Sequence, residues 1–242
     1  MNTKDLITQN KNVYNKIAHL FAETRQYLWD DLKPLQKYVQ DGFSILDLGC
    51  GTGRLYHLFS KFQGIDYAGL DQSEKQIEMA QKEFPDNIYI VAEMTSLPFE
   101  DKRFDVVYCI ATFHHLPDEE TRLKSLSEMK RVLKPGGKII MTNWNLYSKS
   151  AQKTVEKGKW SQDNGEFMVP WLSDTGEILG TRYYHGFTLD ELDELFKKTD
   201  LKIEDQYYSH KGKKGGVGDS GNIVSVVTVT HPSPLLKREG DT

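Results

Sequence analysis

Apolar and polar positions change period several times along this 242-residue chain, and each change marks an element. Between residues 11 and 40 the apolar positions fall at helical spacing: Val13, Ile17, Leu20 and Phe21, then Leu28, Leu32, Leu35 and Val39. Pro34 predicts the start of a new helix, because proline suits a first helical turn. From residue 44 short apolar runs alternate with amphipathic stretches. They predict strands over 44–48, 66–71, 87–92, 104–110 and 137–143, and helices over 53–61, 73–83 and 118–133. Ser73 with Gln76, and Thr188 with Glu191, have the spacing of helix caps. Lys134-Pro135-Gly136-Gly137 should end the longest helix and turn the chain into the next strand. Such alternation predicts an α/β fold, with a mostly parallel sheet, helices on both faces and ligands beyond the carboxyl ends of the strands.

Two stretches interrupt this pattern. Residues 144–187 carry aromatics and turns (Trp144, Trp160, Pro170-Trp171, Tyr183-Tyr184), and a loop of that length inside a compact domain is expected to serve function. Runs at 201–208 and 222–230 should pair as a closing hairpin across a mobile, glycine-rich 211–221 loop. The length fits a single domain, 1–242, with 1–42 as a helical lid over the ligand mouth and 144–187 as a substrate-side insert.

The densest chemistry lies in Ser44-Ile45-Leu46-Asp47-Leu48-Gly49-Cys50-Gly51-Thr52-Gly53-Arg54. A strand ends in an acid, and alternating glycines then lead into a predicted helix. Glycine permits positive φ and close approach of a ligand to the backbone, and a helix start offers free N–H groups. Nicotinamide dinucleotides and S-adenosylmethionine both use such a turn. The dinucleotide pattern G-x-G-x-x-G wants a third glycine where this chain has Arg54. Asp71 ends the second predicted strand 22 positions after Gly49, where an acid can take two ribose hydroxyls. Asp47, just before the glycines, would repel a pyrophosphate but suits an ammonium. The residues favour S-adenosylmethionine.

Charge and composition narrow the partners. The net charge of −4 does not announce a nucleic-acid binder. Two basic runs stand out locally: Lys149, Lys153, Lys157 and Lys159, opposed by Glu156 alone, and His210-Lys211-Gly212-Lys213-Lys214. Either run by itself has the composition of a solvated face. Two cysteines provide neither a disulfide framework nor metal-ligand spacing, and His114-His115 has no partner ligands at zinc spacing, so no metal is expected. No apolar run is long enough to span a bilayer and the first residues lack a signal-peptide core, so a cytoplasmic protein is expected, with no membrane or DNA partner.

These residues resemble the class I S-adenosylmethionine-dependent methyltransferases (methyltransferase type 11). The resemblance rests on ILDLGCGTGR, the acid of GLDQS, AEMTSLPFEDKRFDVVYCIATFHHL and RVLKPGGKII. It implies a Rossmann-like fold with a seven-stranded sheet and an antiparallel last strand. Carried over by position, it implies that Asp47, Gly49, Cys50, Gly51 and Gly53 hold the methionine part of the cofactor. Asp71 and Gln72 would take the ribose, Glu93 and Met94 would flank the adenine, and Ile110 would lie near the methyl. Segments outside these motifs are similar to the wobble-uridine tRNA carboxymethyluridine methyltransferases, both the eukaryotic tRNA enzymes and the domain fused to AlkB-type oxygenases. They are Val13-Tyr14-x-x-Ile17-Ala18-x-x-Phe21-x-x-Thr24-Arg25-x-x-x-Trp29, Phe113-His114-His115-Leu116, Phe167-Met168-Val169-Pro170-Trp171 and Thr181-Arg182-Tyr183-Tyr184-His185-x-Phe187. That similarity implies a carboxylate acceptor on a tRNA anticodon loop, with a small activator protein as a possible second partner.

A carboxylate is already ionised at neutral pH, so methylating it needs no general base. It needs alignment, exclusion of water and a moderate cationic clamp. Arg25, Arg182 and His185 are the candidate clamp, Tyr184 and His115 the candidate acceptor contacts, and Trp29 and Trp171 candidate surfaces for a base. A small-metabolite acceptor, a carboxylic acid or a quinone precursor, is the alternative, and a cofactor-binding module without turnover a third.

Overall fold

The computed structural model describes residues 1–24, 27–219 and 221–229. Five parallel strands form its centre: β1 (Ser44–Leu48), β2 (Asp66–Asp71), β3 (Ile88–Val91), β4 (Phe104–Ile110) and β5 (Leu133–Trp144). The inner strands β1 and β4 are apolar almost throughout, because both faces of the sheet are covered. Helices α1 (Thr3–Thr24), α2 (Glu74–Glu83), α3 (Glu119–Val132), α4 (Lys149–Glu156) and α5 (Leu189–Lys198) complete the chain with the remaining strands. One apolar layer joins Leu46, Val107 and Met141 to Leu126, Met129 and Phe196 of α3 and α5. The layer on the opposite face joins Ile45, Tyr108 and Ile140 to Leu32, Leu35, Leu58 and Phe59.

The 144–187 stretch is folded. Besides α4 it forms β6 (Ser161–Asp163), β7 (Glu166–Leu172) and β8 (Ile178–His185), a separate three-stranded antiparallel sheet. Its strands reach over the cleft end of the domain because α1 lies along β8. Asn10 of α1 bonds both backbone groups of Tyr183, donating to its carbonyl at 2.9 Å and accepting from its N–H at 2.8 Å. Gly180 permits that approach, since a Cβ there would stand 2.7 Å from Val13.

The chain then closes with β9 (Leu201–His210), β10 (Lys213–Gly215) and β11 (Asn222–Val229). The main sheet has eight strands in the order β10-β9-β11-β5-β4-β1-β2-β3, and β11 runs antiparallel to both of its neighbours. The expected α/β architecture with its antiparallel last strand is present, with β10 added at the edge where a loop was expected.

Other departures are local. The expected helices near 34–40 and over 53–61 are 3₁₀ turns, Lys33–Tyr38 and Arg54–Phe59. In the second, Leu55 and Leu58 are both buried, and their spacing of three puts them on one side of such a turn. Ser73 and Thr188 cap α2 and α5 by accepting from the N–H groups of Gln76 and Glu191. The Gln76 and Glu191 side chains do not reach back as a capping box would have them; both turn to tertiary partners. Among the described residues no helix is long and apolar enough to cross a membrane.

Candidate active site

A cleft of about 1260 Å³, its open mouth included, lies beyond the carboxyl ends of β1, β2 and β4 under α1 and β8. Gly49 (φ +77°) and Gly51 (φ +54°) turn the chain sharply at the end of β1. A Cβ on Gly49 would overlap the Thr112 side chain. A Cβ on Gly51 would project toward Gln76 and Phe21, both lining the cleft, so the missing side chain leaves a cradle.

Two acids line this end. Asp47 is buried and accepts from the Tyr67 hydroxyl at 2.6 Å; burial pushes its carboxyl up to about 7. Asp71 accepts from Gly51 N–H at 3.0 Å and Ser73 N–H at 2.9 Å, and burial raises it too, against those backbone donors. Its bonds brace the glycine turn from the neighbouring strand. Gln76 donates its amide N–H to the Tyr14 carbonyl, leaving Oε1 as a buried acceptor with no partner among the described residues.

The other end is aromatic. Trp144 and Tyr184 stack with ring centres 4.9 Å apart, and His115 lies 4.4 Å from the Tyr184 ring centre. His115 Nδ1 sits 2.8 Å from the Tyr183 carbonyl, which can only accept, and 3.1 Å from Asn10 Nδ2, which can only donate; the shorter contact assigns the proton to Nδ1. Nε2 is then free to accept from the Tyr14 hydroxyl at 3.0 Å. Burial drives His115 down to about 3, so it stays a neutral ring at physiological pH. Arg182 is 5% exposed, with its guanidinium over the Trp171 and Tyr184 rings at 5.0 and 5.3 Å. Its Nη1 donates at 3.5 Å to Tyr14, its Nε has no acceptor, and no carboxylate among the described residues lies within ion-pair distance.

Most of the anticipated residues meet here. Asp47, Gly49, Cys50, Gly51, Asp71, Gln72, Glu93, Met94 and Ile110 line the cleft, as do His115, Arg182 and Tyr184. Three expectations fare otherwise. Gly53 is not in the lining; a Cβ there would stand 2.8 Å from the Tyr89 hydroxyl and 3.2 Å from Ala80, so its role is packing of the turn against α2 and β3. His185 faces away from the cleft, held between Glu166 at 2.9 Å and Glu191 at 2.7 Å. It falls one residue past Tyr184, and alternation along β8 sends it to the opposite face. Arg25 lies outside the described residues. The sequence reading missed Tyr14, Gln76, Thr112 and Trp144 as cleft residues. Tyr14 and Trp144 were visible as aromatics in the lid and insert, whereas nothing in sequence marked Gln76 as more than part of a cap.

A sheet of this order, with an acid and a glycine turn closing β1 and a second acid closing β2, defines a class I, Rossmann-like methyltransferase. The methyltransferase domain family matches residues 46–141. A protein named as a methyltransferase in Encephalitozoon cuniculi is 30% identical over 195 residues, covering 79% of this chain and 86% of its own length. The Schizosaccharomyces pombe tRNA (carboxymethyluridine(34)-5-O)-methyltransferase is 28% identical over 81% of this chain and 90% of its own length. The chain spans only 44% of the Arabidopsis thaliana protein of that name, at 28% identity. Among solved structures, the methyltransferase in complex with the Haloferax volcanii Trm112 activator superposes with a TM-score of 0.62 at 20% identity, over 90% of this chain and 98% of that one, a likeness of fold. The chain belongs to the methyltransferase domain family and is an S-adenosylmethionine-dependent methyltransferase.

The cleft fits that cofactor. Asp47 is a buried acid that accepts from the Tyr67 hydroxyl and feels the charge of Arg54, Gln76 Oε1 is an acceptor unmet among the described residues, and Gly51 leaves the space a ligand backbone would take. These are what an ammonium-bearing amino-acid moiety requires.

Proposed function

We propose that this enzyme methylates a carboxylate on RNA, converting 5-carboxymethyluridine at the tRNA wobble position to its methyl ester. The observation that carries the reading is Arg182: a buried cation, caged by aromatic rings, facing the cleft and with no carboxylate partner among the described residues. A buried arginine without a counter-charge calls for an anion from outside. The relatives named as carboxymethyluridine methyltransferases support the same acceptor.

When bound, S-adenosylmethionine supplies an electrophilic methyl on a sulfonium. Asp47 and Gln76 would hold its ammonium end, Asp71 and Gln72 its ribose, and Glu93 and Met94 its adenine. Arg182 orients the acceptor carboxylate through a planar fork of N–H donors. Its charge is spread over a delocalised guanidinium among rings, a moderate grip, so the oxygen keeps its nucleophilicity. Trp144, Tyr184 and α1 exclude water from that oxygen. His115 stays neutral and takes no proton; it holds Tyr14, which in turn meets Arg182. A tRNA anticodon loop and a small activator protein of the Trm112 kind are the partners this reading carries, the latter supported by the fold shared with that complex.

Labelled S-adenosylmethionine and tRNA bearing 5-carboxymethyluridine, with and without the activator, should yield a base-labile methyl ester in the wobble nucleoside. Label appearing on a free small acid, and none on RNA in either condition, would reverse the reading.

A further inference from the structure

Beside the cleft lies a second, more open groove of about 710 Å³, mouth included. Trp29 and Trp144 line both, so the two cavities adjoin along that pair of rings. Trp160 and the first turns of α4 are part of its wall, and Asn145 and Asn222 also line it. Asn145 is 4% exposed. Its Nδ2 donates to the carbonyls of Val217 and Asp219, each at 2.9 Å, which fixes the orientation of the amide. Oδ1 is left as a buried acceptor with no partner among the described residues. Buried polar atoms are rarely unmet, so this one calls for a donor from a ligand.

Two basic runs that are far apart in sequence lie on segments that neighbour the wall of this groove. On α4, Ser150, Ala151 and Thr154 face it, and helical geometry sets Lys153 and Lys157 beside that face. Lys149 lies against Gly218, to whose carbonyl its N–H donates at 3.3 Å. Gly212 N–H donates to Asp31 at 2.6 Å, which brings Lys211 and Lys213 to the segment that carries Trp29. No ion pair is found for these five lysines among the described residues, whereas Lys75, Lys138 and Lys197 are paired. Asp30 and Asp31 stand at the 211–213 turn and Asp30 interacts with Lys211, so the positive side of the groove is α4, where Lys149, Lys153 and Lys157 outnumber Glu156 and, with Trp160, match single-stranded nucleic acid. Rings of that kind stack on bases of any identity, and lysines take the phosphates.

We propose that this groove binds the nucleotide adjoining the acceptor in a single-stranded RNA segment. Its base lies on Trp160 with an N–H donated to Asn145 Oδ1, and its phosphate faces Lys153 and Lys157. Trp29 and Trp144 separate it from the acceptor base. The proposal rests on the RNA reading of the acceptor given above.

The test separates binding from transfer. A fluorescent RNA pentanucleotide is titrated by anisotropy, with S-adenosylhomocysteine present, into the wild type, Trp160→Ala, Trp160→Phe and Lys153→Glu. Alanine and the charge reversal should each weaken binding by about 10-fold, and phenylalanine, which keeps a stacking face, by about 3-fold or less. Lys153 is exposed on α4, so its reversal keeps the fold even where Trp160→Ala does not. In transfer assays the same variants should raise KM for an anticodon stem-loop and leave the free 5-carboxymethyluridine nucleoside unaffected. Equal RNA binding by all four proteins, or no measurable binding by the wild type, overturns the groove even if wobble methylation is found. Weakened binding of an activator protein with RNA affinity unchanged overturns it in favour of a protein interface. If methylation goes only to a small acid, the acceptor reading falls, and the anisotropy series still decides the groove.

Discussion

The Tyr14 hydroxyl lies 3.0 Å from Nε2 of His115, joining the N-terminal helix to the segment that follows β4. Because His115 gives its only proton to the Tyr183 carbonyl, Tyr14 must be the donor in that bond. The tyrosine oxygen is then turned as an acceptor toward Arg182 at 3.5 Å. A neutral imidazole thus sets the orientation of a phenol, and the phenol steadies a cation.

Tyr14→Phe breaks this chain without emptying the space. Methyl transfer should fall about 10-fold while S-adenosylhomocysteine affinity changes by less than about 2-fold. Single-turnover rates and calorimetric titration measure the two quantities separately.

Arg182→Ala should reduce transfer by about 100-fold or more with cofactor affinity retained, because the loss concerns acceptor alignment. Arg182→Lys should recover only part of it, since a point charge cannot form the planar fork. Loss of cofactor binding in the alanine variant would instead move Arg182 into the cofactor site.

Asp47 carries a pH signature. Its carboxyl is pushed up to about 7 in the folded protein from an ordinary 3.8, so the native state holds a proton that the unfolded chain has lost between those values. Stability of the cofactor-free protein from this group is therefore full below about 4 and declines as pH rises toward 7, by up to about 4 kcal/mol. Asp47→Asn removes that decline and should raise Tm at pH 8, while weakening S-adenosylhomocysteine binding. In the wild type, affinity should climb as pH passes through about 7, because the ammonium pairs with the ionised acid. Melting curves and titrations from pH 5 to 8 check both signs.

Gly49→Ala meets two penalties at once. The residue has φ +77°, and the added Cβ would overlap Thr112, whose branched side chain has little room to turn. A loss of about 2–4 kcal/mol in unfolding free energy is expected, with cofactor binding impaired as the turn shifts. Denaturant melts of the variant give the stability cost.

His185 should behave as a structural residue. Burial alone would lower its pKa, but Glu166 and Glu191 outweigh that and hold the ring above its ordinary 6.5. The stabilisation is complete below that ordinary value and fades as pH rises through the raised one. Both carboxylates are about a third exposed, so water screens part of the attraction. His185→Ala should cost about 1–2 kcal/mol at pH 6 and less at pH 9, with kcat per folded molecule nearly unchanged.

Much of the molecule was written in the order of its residues. The α/β alternation, the acid and glycines at the end of β1, and Asp71 at the end of β2 depend on local periodicity and turn chemistry, and a sequence carries both directly. The cofactor end of the cleft was legible for that reason: one loop and the next strand build it from consecutive positions.

The acceptor end depends on contacts between segments more than a hundred residues apart, which local pattern does not encode. Asn10 of α1, bonded to Tyr183 of β8, sets where the insert lies, and so where Arg182 points and which of Tyr184 and His185 faces the cleft. Gln76 reads as a helix cap until α1 covers it and leaves its oxygen facing the cleft. Gly53 reads as part of a ligand turn until Tyr89 is seen against it. The two lysine runs read as separate solvated faces until Lys149 is seen against Gly218, which joins α4 to the 211–219 segment. The sequence by itself determined which turn closes β1 at one end of the cleft, because a turn is made by neighbours in the chain. Tertiary structure alone decided what lines the other end, because that end is assembled by packing between distant elements.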